Sequence, residues 1–171
     1  SAIGDVVLAL AAARSIRAQR PDLRLSWAVE DRAADLLRGH PDLEEVIVYP
    51  RRAWVRGLKN PFRLFPTLVQ MARFFHGLRR RQYDVALDFQ GNLKSGLFGL
   101  LSGARLRVGF RGAPSKEGNA FFCNRHIDVP SGAVHRVERD LALLRGIGLE
   151  PRYEPPLLAL GPEDDGPARS L

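Results

Sequence analysis

Cysteine occurs once in the 171 residues, at Cys123, so no disulfide framework can staple the chain and a reducing compartment is the default. Long apolar runs are missing too. No uninterrupted stretch reaches the roughly eighteen apolar residues a bilayer-spanning helix needs. The opening does not read as a signal peptide, because Asp5 interrupts it and no basic region precedes its apolar residues. Zinc chemistry finds no pattern either, since His126 and His135 lack the close spacing of H-E-x-x-H and Cys123 completes no ligand set. No metal and no cofactor is expected.

A further shortage is local. Residues 51–81 contain nine basic side chains and no acidic one, whereas residues 1–50 carry six basic and eight acidic and residues 82–171 carry eleven of each. The whole net charge of +7 therefore arises in one segment. A concentrated block of one sign points to a polyanion, a phosphorylated ligand or an anionic membrane face more than to solubility.

What is present is enough for a core. At 45% hydrophobic residues the chain has the length and composition of one ordinary domain. It opens on Ser1-Ala2-Ile3-Gly4-Asp5, a short polar turn that runs into a helix over residues 6–19, where Val6, Val7, Leu10, Ala11, Ala13, Ile16 and Ala18 take helical spacing. Gly4 and the small residues around it would let the backbone approach a ligand. Asp5 then lies at or just before a helix N-terminus. It is either an N-cap or a carboxylate at the end of a first parallel strand, where open α/β sheets hold their ligands. No apolar run precedes Ser1, so the chain is expected to start just after that first strand.

Strand patterns follow at 23–29 and 45–49, separated by a short helix over 33–38 that Gly39 closes. The alternation of strand and helix favours a parallel sheet with right-handed crossovers. Residues 50–61 read as a loop after a strand, with Arg51, Arg52, Arg56 and Lys59 able to grip phosphate or carboxylate groups, or else simply solvated. Residues 64–78 form a broad apolar stripe at helical spacing. Part of it must face the sheet. The remainder, flanked by Arg63, Arg73 and Arg79-Arg80-Arg81, is either the basic outer face of a core helix or a surface that rests on an anionic membrane.

The strongest strand signal spans residues 83–89 and ends on Asp88, which is either catalytic or an anchor for the backbone of the next turn. That turn, Gln90-Gly91-Asn92-Leu93-Lys94-Ser95, enters a helix over 94–101. A strand at 106–109, an irregular stretch from Phe110 to Arg125 and a short apolar piece at 127–129 come next. A last helix over 135–144 is expected to set His135, Glu138 and Arg139 on one surface. From Pro151 the chain is rich in proline and glycine and reads as a linker.

Four of these stretches together resemble the lipopolysaccharide heptosyltransferases, glycosyltransferase family 9 of the GT-B architecture. They are Ser1-Ala2-Ile3-Gly4-Asp5-Val6-Val7, Tyr83 through Ser95, Arg107-Val108-Gly109-Phe110 and His135-Arg136-Val137-Glu138-Arg139, in family order. The resemblance implies an α/β fold: a Rossmann-like parallel sheet with helices on both faces, the N-terminal half of a GT-B enzyme, with its first strand missing. Residues 1–150 would be the acceptor-binding domain, and residues 151–171 a linker or the start of an absent nucleotide-sugar domain.

The same resemblance implies inverting transfer of heptose from ADP-heptose to the lipopolysaccharide inner core, without a metal. The setting would be cytoplasmic and peripheral on the inner membrane. Asp5 takes the place of the catalytic carboxylate. Ser1, Gly4, Arg51, Arg52, Arg56, Lys59, Gln90, Lys94 and Arg111 are candidate contacts to the anionic acceptor, and Asp88, His135, Glu138 and Arg139 are supporting residues. Chemically, a sugar hydroxyl is a poor nucleophile, and a positioned carboxylate can accept its proton as the glycosidic bond forms. The isolated chain, with the acceptor half alone, would be inactive. Another GT-B enzyme such as a UDP-sugar epimerase would share the crevice. A nucleic-acid-binding module fits poorly, because the basic block lacks interleaved stacking aromatics on a strand face.

Overall fold

The structure is a computed structural model and describes residues 3–111, 121–129 and 135–156. Ser1, most of the irregular stretch before Arg125 and the tail beyond residue 156 lie outside the described residues. Helix α1 (Ile3–Gln19) leads into strand β1 (Ser26–Glu30), a 3-10 helix (Asp31–Leu36) and strand β2 (Glu45–Tyr49). Helices α2 (Arg51–Leu58) and α3 (Pro61–Arg80) follow, then β3 (Val85–Leu87), α4 (Leu93–Leu101), β4 (Leu106–Phe110), β5 (Arg125–Ile127), α5 (Arg136–Ala142) and a second 3-10 helix (Leu143–Ile147).

Every strand pairing among the described residues is parallel. β1 pairs β2 from Ser26 opposite Glu45 to Glu30 opposite Tyr49. β4 lies between β3 and β5 in a second, three-stranded sheet. Successive strands thus step outward in one direction from β1 and in the other from β3, and the order reverses between the two sheets. β1 and β3 face that reversal with edges that no other described strand pairs. Between them runs a groove of about 1660 Å3, lined by both strands and roofed by Val6, Ala9, Ala13 and Ile16 of α1. Trp27 and Phe89 stack across it, ring centroids 6.0 Å apart and ring planes nearly parallel at 9°.

Side-chain alternation sorts the helices onto two faces. Leu87 and Phe89 join Ala11, Ala12 and Ile16 of α1 and Val137 and Leu141 of α5 in one core. Ala86, one residue away, faces Gly99 of α4 on the other side. On that second face Tyr49, Trp54, Phe74, Phe75 and Phe98 form a ring cluster with centroid distances from 4.8 to 6.1 Å, which seats α2, α3 and α4 together. A third core joins Val6 and Leu10 of α1 to Val29 and to Ala33, Ala34 and Leu37. Each fully buried leucine or valine here contributes about 1.5–3 kcal/mol.

Several expectations need correcting. The first helix begins at Ile3, so Gly4 and Asp5 lie inside its first turn rather than in a turn before it. Gly4 is exposed, and a Cβ there would meet nothing within 4 Å, so no close approach requires glycine. The basic stretch expected as a loop is helix α2 with Pro50 as its N-cap residue. Trp54 and Gly57, at i and i+3, are buried along one side of this helix, and their packing draws the segment into it. The short helix expected at 33–38 is a 3-10 helix that starts at Asp31, and Gly39 follows it with φ of 69°.

A groove bounded by two parallel, unpaired strand edges is the complement of one more parallel strand. Joining an apolar, strand-forming segment ahead of Ser1 is therefore expected to raise the melting temperature by about 5 °C or more. It should also protect amides of β1 and β3 from hydrogen exchange. An unchanged melting temperature and unchanged exchange would show that the edges do not accept a strand.

Candidate functional site

Helices run back against parallel strands, so the N-terminus of α1 returns to the carboxyl edge of the sheet. Asp5 sits there, in the first turn, where the helix dipole favours a carboxylate. Three other segments reach the same edge: Glu30 at the end of β1, Arg51 just after β2, and the turn after β3. All of them line the groove, with Asp5, Glu30, Arg51, Gln90, Asn92, Lys94 and Arg136 at its mouth. In open α/β sheets this place, outside the strand ends where the order reverses, is where ligands bind.

Asp5 is held by Arg136 at 3.1 Å, with the carboxylate still 36% exposed. Arg136 comes from the first turn of α5 and has further partners. It donates to the Phe89 carbonyl at 3.2 Å and reaches Asp140, one turn along its own helix, at 3.4 Å. Asp140 is fully buried and also faces Arg139 at 3.4 Å. Burial pushes its carboxyl above the usual range, outweighing both guanidinium groups. Arg139 meanwhile lies over the Phe110 ring, 5.1 Å from its centroid.

Asp88 works on the turn. One carboxylate oxygen accepts the Gln90 and Gly91 amides at 2.9 and 3.1 Å, and the other accepts the Ser95 hydroxyl at 2.8 Å. Asn92 and Ser95 exchange reciprocal bonds that cap α4. Gly91 has φ of 66°, a left-handed conformation that only glycine adopts cheaply, and it lets the chain double back under Asp88. Gln90 and Lys94 are thereby presented at the mouth.

The basic block is divided by its helical geometry. Arg51 lines the groove and lies 3.5 Å from Glu30, which is only 5% exposed and also meets Arg32 at 3.4 Å. Arg52, Arg56 and Lys59, at i, i+4 and i+7 of the opposite face, are exposed and lie outside the groove lining. Arg111 also falls elsewhere. It follows β4, one strand removed from the groove edge, and pairs on the surface with Asp128 at 3.4 Å. His135 and Glu138 line a second, small cavity with Val7, Leu8 and Tyr153, while Arg139 turns inward, so the three do not share one surface. Cys123 is buried, and burial together with the Asp88 carboxylate pushes its thiol up to about 11, a poor setting for a nucleophile.

Two residues of the mouth were not singled out from the sequence, Arg136 and Glu30. Each had a signal. Arg136 stands four residues before Asp140 on a helix, and Glu30 ends a strand just as Asp88 follows one. Among the described residues no cluster of histidine, cysteine and carboxylate side chains could hold a metal ion, and no helix is long and apolar enough to cross a membrane.

Parallel strands that step outward from a central groove, helices on both faces and a polar mouth at the strand ends define the Rossmann-like N-terminal half of a GT-B protein. The sequence profile of glycosyltransferase family 9 (heptosyltransferase) matches residues 71–161, more than half of the chain. The chain belongs to that family. It is 27% identical to the lipopolysaccharide core heptosyltransferase OpsX of Haemophilus influenzae over 96% of its own length and 43% of the relative's. Lipopolysaccharide heptosyltransferase 1 of Pseudomonas aeruginosa is 32% identical over 56% of this chain and 26% of its own. Among solved structures, the E. coli heptosyltransferase WaaC with ADP-2-deoxy-2-fluoro heptose superimposes with a TM-score of 0.77 at 24% identity, covering 89% of this chain and 47% of WaaC. E. coli ADP-heptose lps heptosyltransferase II gives 0.64 at 22% identity, over 94% and 45%. The chain thus spans less than half the length of these relatives.

Replacing Asp88 by alanine removes the acceptor of three hydrogen bonds in a half-buried turn. Stability is expected to fall by about 2 kcal/mol, with hydrogen exchange rising selectively at Gln90 and Gly91. A denaturant midpoint within error of the parent would mean that the turn is held by its Asn92–Ser95 cap instead.

Proposed function

We propose that this chain is the acceptor-binding half of an inverting heptosyltransferase, which moves heptose from ADP-heptose to the anionic inner core of lipopolysaccharide. In this reading residues 1–150 hold the acceptor, residues 151–171 lead towards a nucleotide-sugar domain, and the chain alone does not catalyse transfer. The enzyme would work at the cytoplasmic face of the inner membrane, where a lipid-anchored acceptor is presented.

The observation that carries the reading is Asp5, a partly exposed carboxylate at the mouth of the groove, fixed from one side by Arg136 at 3.1 Å. Asp5 would accept the proton of the acceptor hydroxyl as that oxygen attacks the anomeric carbon of heptose. The bond from that carbon to the ADP oxygen breaks on the opposite face, and the proton ends on the carboxylate. Arg136 fixes the direction in which Asp5 faces, because its own position is set by the Phe89 carbonyl and Asp140. Arg51 and Lys94 would meet anionic groups of the acceptor, Arg51 with a forked set of donors already oriented by Glu30. Gln90 supplies a neutral hydrogen-bonding group between them. Ser1 and Gly4 belong to the acceptor contacts only through their place beside Asp5 in the sequence.

In the protein joined to its nucleotide-sugar domain, Asp5→Asn is expected to lower kcat by roughly 10²–10⁴ with acceptor binding and melting temperature little changed. Activity within about threefold of the parent would remove Asp5 from the chemistry. The helical geometry separates two neighbouring arginines. With a soluble acceptor stripped of its acyl chains, Arg51→Ala should raise the acceptor KM about tenfold with donor KM constant, and Arg52→Ala should leave both near the parent values. Equal effects of the two changes would contradict the placement of Arg51 at the mouth.

A further inference from the structure

Helices α2 and α3 form a hairpin whose tip carries the most exposed apolar side chains of the basic segment. Phe62 is 93% and Phe65 75% exposed, and Leu58 and Leu68 add 40% and 48%. These side chains do not hang from a loose segment. Gly57 lets α2 approach α3 so closely that a Cβ there would come within 2.1 Å of the Thr67 hydroxyl. Asn60 caps α3 by accepting the Phe62 amide at 2.9 Å, and Trp54 packs on Phe74 at 5.2 Å. The rings are thus presented to solvent by a rigid support.

Charge surrounds them. Arg52, Arg56, Lys59 and Arg63 are exposed around the tip, and among the described residues none of the four has an ion-pair partner. The hairpin carries no acidic residue. The far end of α3 differs: Arg81 is engaged by Glu45 and Arg79 packs against Gly103.

We propose that the α2–α3 tip is an interfacial anchor, which seats Phe62 and Phe65 at the boundary of headgroups and acyl chains in an anionic bilayer. Arg52, Arg56, Lys59 and Arg63 pair with lipid phosphates. Apolar rings interleaved with unpaired cations of one sign match such an interface, where rings go in and charges stay at the headgroups. A protein partner would be expected to meet some charge of each sign. The anchor also suits the site, because α2 starts at the carboxyl edge of the sheet, where the first turn of α1 holds Asp5, and is only about 12 Å long. The proposal deepens the membrane side of the proposed function, and vesicles without any glycolipid test it apart from the transfer chemistry.

The full chain is mixed with vesicles of phosphatidylethanolamine and phosphatidylglycerol, or of phosphatidylcholine alone, and floated on a density gradient. The parent should float with the anionic vesicles, less so as salt rises, and stay behind with the neutral ones. Phe62→Ser/Phe65→Ser should lower the partition about tenfold or more with the melting temperature unchanged, as both sites are exposed. Phe65→Trp should gain a blue-shifted emission on the vesicles that brominated acyl chains quench. Flotation of the serine variant equal to the parent's would overturn the anchor, as would an indole emission in the Phe65→Trp variant that bromine leaves untouched. So would a parent that ignores vesicles but self-associates through Phe62 and Phe65 in the ultracentrifuge, which would make the tip a protein interface.

Discussion

The mouth of the groove depends on one helix that spans two sheet edges with no hydrogen bonds to each other. α1 sends Val6 and Leu10 into the core around β1 and sends Ala11, Ala12 and Ile16 into the core around β3 and α5. Its alanines, Ala9 and Ala11 to Ala13, are 4% exposed or less, which brings the helix axis close to both sheets. A larger side chain on this face would push the helix off one core or the other. Because the helix axis is set from both sides, so is its first turn, and with it Asp5. The Trp27–Phe89 stack is a second tie across the same gap, made by one residue from β1 and one just past β3. Position at the mouth of the groove is therefore inherited from packing some distance below it.

The arginines that make the chain basic do three different jobs, which the net charge alone conceals. Some are structural. Arg14 pairs with the buried Asp42 at 2.9 Å, Arg17 binds three backbone carbonyls and Glu44, and Arg107 holds two carbonyls of neighbouring loops. Arg51 and Arg136 line the mouth, Arg51 beside Glu30 and Arg136 between Asp5 and Asp140. A third group, Arg52, Arg56 and Arg63 around the α2–α3 tip, has no carboxylate partner among the described residues. Exposed pairs are worth little on the surface, but unpaired cations held on a rigid support keep their full capacity to meet an anion. The useful quantity is thus the charge left after internal pairing.

The parallel sheet, the order of its elements and the carboxylate of Asp88 after its strand were legible in the sequence, because apolar periodicity and turn residues report local structure directly. Strand β2 was read to its ends, where Pro50 stops it. The nature of the stretch after it was not. Arginine and glycine made residues 50–61 look like a loop, yet Trp54 and Gly57 are buried along one side of α2, and tertiary packing overrode composition. The same helix then separated Arg51 from Arg52, Arg56 and Lys59, a division that depends on a helical phase and is invisible until the helix is known. Arg111 was misplaced for a related reason. It follows β4, one strand beyond the β3 edge, and its guanidinium pairs with Asp128 on the surface. Glu30 and Arg136 were missed because their meaning lies in partners far along the chain.

Three carboxylates near the mouth show how environment divides one chemistry into three roles. Asp88 spends both oxygens on amides and a hydroxyl of its own turn, so it has little capacity left for a ligand. Asp140 is sealed in the core, and its raised pKa means that its ionised form is held at a cost. For a carboxyl whose folded pKa is raised, the contribution to stability is fullest below the unfolded value and is lost as pH rises through the folded one. Arg136 and Arg139 offset part of that cost, and the apolar contacts of Val137 and Leu141 in the same helix offset more. Asp5 alone combines a fixed position with an open side. It shares Arg136 with Asp140, so the buried carboxylate orients the exposed one without touching it. Of the three, Asp5 is the only one whose geometry leaves an oxygen for a proton that arrives from outside the protein.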